Sequence, residues 1–435
     1  MSVTRISIIG SGSMFTKHLA SDILQIPDFN EGIFALVDVD AKRLELSVKL
    51  VQRLIELSGK NWIVEASTNR RDVIAGSRFV INQIEVAGLE TVRNEFEIPL
   101  RYNVKQCIGD TLGPGGLFKT LRTLPVWLEI VRDIEELCPD ALILNYTNPM
   151  SAVTLATSRA TSLPVIGLCH SIQHSSQQLA KYLGVPYEKL DWRCGGINHM
   201  SWFTKLEVDG QDQYPALFEK MSDEAFLAKD PVRFDFARHF GAFVSESSGH
   251  FSEYIPYYRK RQDLIDRYCA AGYNGATGFY ANEWPVWRKE TDEEIERMIS
   301  GEQEIKLERS DEYAAVIIDS IVNEKPNVIY GNVPNRGLIE NLPFEGVVEV
   351  ACLVDKKGVQ PTRYGRLPEH LAALCRSNMA FFELAVQAVL EKNREKALQA
   401  LYIDPLTAAA CSPAEIKAMF EELWEADRPY LPDWK

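Results

Sequence analysis

Short apolar runs alternate with amphipathic stretches over the first third of the chain. Ile6, Ile8 and Ile9 predict a buried strand ahead of the turn Gly10-Ser11-Gly12-Ser13. Thr16 to Ile26 predicts a helix with Leu19, Ile23 and Leu24 on one face. Ile33 to Asp38 predicts a second apolar strand that ends in an acid. Ala41 to Leu57 reads as another helix, and Arg78 to Ile84 as the next strand. The glycine-rich run Gly109 to Gly116 leads into a helix from Leu117 to Leu137, and Ala141 to Asn145 and Leu163 to Leu168 are further apolar strands. Strands separated by helices imply an α/β fold, a parallel sheet wound on both faces in the Rossmann manner. Past about residue 200 the pattern is less regular and more aromatic. There Tyr330 to Gly337 predicts a loop, Val347 to Val354 a strand, Leu371 to Lys392 a long helix, and Ala397 to Tyr402 part of another.

Length and composition narrow the picture. At 435 residues two domains are expected, and with no linker or repeat between them the second should pack closely on the first. The expected division falls after residue 195, into domains over 1–195 and 196–435. A net charge of −14 argues against a nucleic acid or an anionic membrane as partner. No apolar run approaches the length of a bilayer span, and the chain runs at once into its first strand. Eight scattered cysteines without paired spacing suit reduced thiols, so a cytoplasmic protein is expected.

The first strand, turn, helix and strand follow the logic of dinucleotide binding. Small residues at Gly10, Gly12 and Ser13 let backbone approach a pyrophosphate, and the helix start faces it. An acid at the end of the second strand takes a ribose hydroxyl and disfavours the 2′-phosphate of NADP, so NAD is the expected cofactor. Asp38 is the candidate acid and Asp40 its competitor. The fingerprint is partial, because Phe15 stands where the third glycine would be.

Cys169 follows the apolar strand Leu163–Leu168, where open α/β sheets bind ligands, and His199 follows Gly195-Gly196-Ile197-Asn198. Thiolate and imidazole both ligate transition metals. On residue types alone a core cysteine and an unrelated surface histidine are the simpler reading. Asn148 ends another strand and would offer a neutral hydrogen-bonding group to the crevice, although a plain Asn-Pro turn explains it equally. Ser245 to Tyr258 gathers Glu253, Tyr254, Tyr257 and other acid–base groups in one stretch.

The ordered set Gly-Ser-Gly-Ser, Asp110-Thr-Leu-Gly-Pro-Gly-Gly, Asn145-Tyr-Thr-Asn-Pro-Met, Gly167-Leu-Cys-His-Ser and Gly196-Ile-Asn-His-Met resembles family-4 glycoside hydrolases. So do Gly331-Asn-Val-Pro-Asn335 and Glu349-Val-Ala-Cys-Leu-Val-Asp355, and the likeness spans nearly the whole chain. Cys169-His170-Ser171 is most similar to the α-galactosidase branch. Dependence on NAD, without the usual carboxylate pair, belongs to that family's known chemistry and not to these spacings. The resemblance implies a Rossmann-type domain joined to an α+β domain like the carboxyl half of lactate and malate dehydrogenases. It implies a divalent metal, usually Mn2+, held by Cys169 and His199.

The resemblance further implies an unusual hydrolysis. Hydride leaves C3 of the sugar for NAD, the resulting ketone acidifies the C2 hydrogen, and the metal stabilises the enolate. A base removes the C2 proton, the leaving group departs from C1, water adds and the hydride returns. Tyr254 is the candidate base, with Tyr257 and Glu253 as rivals; His170 is the candidate that assists the leaving oxygen. The expected substrate is an unphosphorylated α-galactoside, with an α-galacturonide or another α-glycoside as the alternative. The expected assembly is a homodimer or homotetramer. A hydroxy-acid dehydrogenase would share the dinucleotide domain but needs an arginine that clamps a carboxylate. A non-catalytic NAD sensor would need none of the polar strand-end residues.

Overall fold

A computed structural model describes residues 3–269 and 272–434. Six parallel strands form one half of its sheet: β1 (Arg5–Ile9), β2 (Glu31–Val37), β3 (Asn61–Ser67), β4 (Phe79–Asn82), β5 (Leu142–Asn145) and β6 (Val165–Gly167). Their spatial order is 3-2-1-4-5-6, the doubly wound order of dinucleotide-binding domains. The intervening helices are α1 (Phe15–Leu24), α2 (Ala41–Ser58), α3 (Gly88–Arg101), α4 (Gly113–Leu137) and α5 (Met150–Ala160), and α6 (Ser171–Leu183) follows β6. The inner strands read as nearly unbroken apolar runs because both faces are covered: Ile6, Ile8, Phe34, Leu36, Val80 and Ile143 are fully buried.

The sheet continues past β6 with antiparallel strands. These are β7 (Leu190–Ile197), β8 (Met200–Val208), β9 (Gln211–Asp212), β10 (Phe243–Val244), β11 (Asn327–Pro334), β12 (Val347–Asp355) and β13 (Gly358–Pro361). β11 lies beside β6, then come β12, β7, β8 and β10 in turn. The expected boundary after residue 195 therefore falls inside β7, and one sheet crosses it. The late helix Glu369–Glu391 packs back onto α4 and α5, which binds the two halves face to face. No helix among the described residues is long and apolar enough to cross a membrane.

Two local expectations are corrected. The segment expected as a loop from Tyr330 is β11, paired residue for residue with β12 from Asn327↔Val354 to Pro334↔Val347. Gly331, Asn332 and Pro334 look like turn residues, but pairing with a distant strand overrides local preference. The helix expected from Leu117 starts earlier, at Gly113, with Pro114 in its first turn. Its first amide is capped by Asp404 Oδ1 at 3.0 Å, an acceptor far along the chain that local sequence does not reveal.

A polar row crosses the sheet where the parallel strands end. Asn82, Asn145 and Gly167 close β4, β5 and β6 in register, and the row continues through Asn332, Glu349, Gly196 and Ser201. Polar groups this deep are satisfied by one another: Asn82 Nδ2 donates to Asn145 Oδ1 at 2.7 Å. The row is the floor of a crevice at the carboxyl ends of the strands, where ligands of open α/β sheets bind.

Candidate active site

Above that floor lies a cavity of about 660 Å³, running from Ser13 and Phe15 on α1 to Cys169, His199 and Glu246. At its first end the turn after β1 is shaped by two glycines. Gly10 has φ 83°, and a Cβ there would lie 2.9 Å from the Gln83 carbonyl oxygen. A Cβ on Gly12 would lie 2.7 Å from Asp38 Oδ2, the atom that accepts the Gly12 amide at 2.7 Å. The start of α1 has no side-chain cap; the amides of Thr16 (3.1 Å) and Lys17 (2.9 Å) donate to the Ser13 and Met14 carbonyls, and the turn before them, with Ser13 and Phe15, faces the cavity. Asp40, the competitor, is occupied as the cap of α2, accepting from the amides of Lys42 at 2.9 Å and Arg43 at 3.1 Å. Asp38 is thus the acid that lies on the glycine turn. Asp38→Ala is expected to weaken NAD binding by roughly 10- to 100-fold, the range for hydrogen bonds to a charged acceptor. Asp38→Arg should shift preference toward NADP, and unchanged titrations with both cofactors would remove Asp38 from the site.

At the other end Cys169, His170 and His199 line the same cavity. Cys169 lies two residues past the end of β6, and His199 sits in the two-residue link between Ile197 and Met200, at φ 62°. A non-glycine residue in that conformation carries strain, which is commonly stored at functional sites. Its Nδ1 is 3.0 Å from the Tyr254 hydroxyl and its Nε2 is 3.5 Å from Glu246 Oε2. Enclosure in the wall, then the carboxylates of Glu349 and Glu246, push the Cys169 thiol up to about 11. Burial opposes ionisation of Glu246, but His199, His250 and the Ser247 amide outweigh it and hold the carboxyl below its ordinary value.

Among the described residues, no three His, Cys, Asp or Glu side chains form a ready cation cage. The donors present fit an open site instead: one sulfur and one imidazole at the mouth of a crevice, a carboxylate beside them, and room for substrate oxygens. A divalent cation there would also reverse the pressure on Cys169, because a coordinated thiol loses its proton.

The remaining expected residues divide. Asn148 lines the cavity and donates through Nδ2 to Asp110 Oδ2 at 3.0 Å. Burial works against ionisation of Asp110, but Lys119, His250 and the Thr111 hydroxyl bring it down to about 2. His170 faces Glu312 at 3.4 Å, and that hydrogen bond pushes its imidazole up to about 9. Tyr254 stands one layer behind the cavity, 1% exposed, with its hydroxyl on His199; burial foremost drives its pKa well above the ordinary value.

Neither rival to Tyr254 is placed to act on a sugar. The Glu253 carboxylate is caged by the amides of Cys107 (2.7 Å), Ile108 (3.2 Å) and Gly109 (3.1 Å) and by His250 Nδ1 (2.8 Å). Tyr257 is surface-exposed beside Phe240.

Sequence reasoning did not single out Glu246, Asp110, His250 or Lys119. Asp110 begins the glycine-rich loop and Glu246 opens the acid–base stretch, so their positions were visible. Their roles depend on partners scattered from Lys119 to Glu253.

Comparison with known proteins fits this arrangement. The model of family 4 glycosyl hydrolases matches residues 5–185, and that of the family's C-terminal domain matches 194–407. This chain belongs to family 4 of the glycosyl hydrolases. It is 38% identical to an α-galactosidase of Bacillus subtilis over 99% of this chain and all of that one. The fold is that of a 6-phospho-α-glucosidase from gut microorganisms solved with NAD and Mn2+, at TM-score 0.83 and 21% identity, with both chains covered in full. A lactate dehydrogenase of Eimeria maxima shares the fold more distantly, at TM-score 0.52 and 13% identity over 90% of this chain and 97% of that one. The fold shared with a lactate dehydrogenase agrees with the Rossmann-type architecture that the resemblance implied.

Proposed function

We propose that this family 4 enzyme hydrolyses unphosphorylated α-galactosides, using NAD and a divalent metal such as Mn2+. The observation that carries the substrate assignment is the state of the cations in the cavity wall. Lys119 is held by Glu85 at 2.7 Å, and Arg233 by Asp230 at 2.9 Å and the Ser175 hydroxyl at 2.8 Å. No Lys or Arg among the described lining residues is left free for a phosphate or a C6 carboxylate. A neutral sugar needs only hydrogen bonds, and Asn148 and ionised Asp110 supply acceptors for its hydroxyls. The α-galactosidase relative in Bacillus subtilis supports the same choice. A galacturonide, the rival, would have to displace one of these ion pairs.

NAD, when bound, would supply the acceptor and later the donor of a hydride, and a divalent cation would supply Lewis acidity toward oxygens of the sugar. The protein's own groups do the rest. Gly10, Gly12, Ser13 and Asp38 hold the dinucleotide. Cys169 and His199 would hold the metal. Asn148 donates to Asp110, which leaves its side-chain carbonyl to orient a sugar hydroxyl. Tyr254 is the assigned acceptor of the C2 proton. To act so, its contact with His199 must open when substrate binds. His170, at the cavity surface, gives a proton to the leaving oxygen at C1.

The direct test is a panel of nitrophenyl glycosides with and without NAD, Mn2+ and a thiol reductant. Turnover of the α-galactoside only in the complete mixture supports the reading; efficient turnover of only the α-galacturonide removes the substrate assignment. His170→Ala tests the acid. An alkyl galactoside with a poor leaving group should lose roughly 100-fold or more in kcat, within the range for general acids, while a nitrophenyl galactoside loses far less. Equal losses on both substrates would take His170 out of that role.

A further inference from the structure

The two strand ends that carry Cys169 and His199 belong to different halves of the sheet, and the sheet between them is narrowly joined at two places. β6 meets β11 through one residue pair, Gly167↔Asn332, and β12 meets β7 through one pair, Glu349↔Gly196. Backbone pairing this sparse is a weak way to fix a distance across the crevice. Side chains bridge both joints. Asn332 Nδ2 donates to Glu349 Oε1 at 3.2 Å and lies 3.4 Å from the Gly167 carbonyl oxygen, two residues before Cys169. On the far side Glu349 Oε2 accepts from the Ser201 hydroxyl at 2.9 Å, and that hydroxyl also lies 3.0 Å from the Ile197 carbonyl oxygen. Ile197 and Ser201 flank His199 on its hairpin. Ser201 in turn pairs with Ser245, next to Glu246: its amide donates to Ser245 Oγ at 3.2 Å, and its carbonyl accepts the Ser245 amide at 2.9 Å.

A Cβ at Gly196 would lie 2.7 Å from the Ser201 Cα, so the hairpin backbone that carries Ser201 closes directly on this glycine. Glu349 itself is fully buried, without a lysine or arginine among its hydrogen-bond partners. A carboxyl is a costly way to fill such a core position unless its two oxygens are both needed.

We infer that Glu349 is a positioning residue that, through Asn332 and Ser201, sets the separation of Cys169 and His199 for the cation. The inference rests on the proposed metal site. Changes to groups that support metal ligands typically cost 10- to 100-fold in metal affinity. The test is Mn2+ binding to the full-length protein, read from the free-ion EPR signal, with NAD affinity measured in parallel by protein fluorescence. E349L removes both bridges and should weaken Mn2+ by roughly 10- to 100-fold while NAD binding stays at the wild-type level. E349Q keeps the bridges, because its amide can accept from Asn332 and donate to Ser201 Oγ, so its Mn2+ affinity should stay within about threefold of wild type.

Wild-type Mn2+ affinity in E349L overturns the inference. So does an equal loss in E349Q, which would make the charge and not the tie responsible. Should E349L fail to fold, N332A cuts the Cys169 side alone; weakened Mn2+ with unchanged NAD then supports the tie, and unchanged Mn2+ overturns it. C169S tells the two readings apart. Unaltered Mn2+ binding in C169S removes the metal site itself, whereas loss in C169S with none in E349L removes only the tie.

Discussion

Cys169→Ser is expected to leave the protein folded and able to bind NAD while abolishing most metal-dependent turnover. The side chain is nearly isosteric, so packing at the end of β6 should persist. What changes is the donor. A thiol beside a divalent cation ionises and binds as a thiolate, whereas a serine hydroxyl stays protonated near neutral pH. Lewis-acid stabilisation by a bound metal amounts to several kcal/mol, so a loss of roughly 100- to 1000-fold or more in kcat is expected. Metal content after dialysis provides the check, measured for wild type, Cys169→Ser and His199→Ala under the same conditions. Equal content in all three would mean that the cation is held elsewhere.

Tyr254→Phe carries the second large effect. Deleting a general base commonly costs about 10²- to 10⁴-fold, and phenylalanine preserves the shape of this buried side chain. Turnover and exchange of the C2 hydrogen with solvent should fall together. The position of the hydroxyl, 3.0 Å from His199 Nδ1, allows a different failure. Were Tyr254 only a support for His199, the variant would lose Mn2+ affinity, and each remaining turnover would still exchange one C2 hydrogen. Exchange per turnover therefore separates a base from a support.

Five strands of the parallel half were legible because each announces itself locally, as a short apolar run closed by glycine or a polar residue; the edge strand β3, with Asn61 and Ile63 exposed and Glu65 within it, was not. Of the antiparallel half only β12 was legible, as the apolar run Val347 to Val354. β11 contains Gly331, Asn332 and Pro334, and only its eight-residue pairing with β12 makes it a strand. The hairpin of β7 and β8 was hidden for the same reason: its pairing, and not its composition, defines it. The candidate site divides along similar lines. Cys169, His170, Asn148 and His199 follow readable strand ends or turns, and all four line one cavity. Glu246 and Glu349 look in sequence like any acid. What marks them is burial beside His199 and Ser201, set by contacts that join residues up to about 150 positions apart. Tyr254 shows the converse, since its place in a dense acid–base stretch gave no sign that it would stand behind His199 and not at the cavity surface.

The central proposal is that the glycosidic bond is broken by oxidation at C3 and elimination across C1 and C2, not by direct displacement at C1. Its most direct test is hydrolysis of an α-galactoside in deuterated water, with the released galactose examined by NMR or mass spectrometry. Elimination and readdition take a proton from C2 and return one from solvent, so deuterium should appear at C2 of the product. A two-carboxylate glycosidase leaves that hydrogen untouched. Galactose released without deuterium at C2, by enzyme freed of NAD, would contradict the proposal.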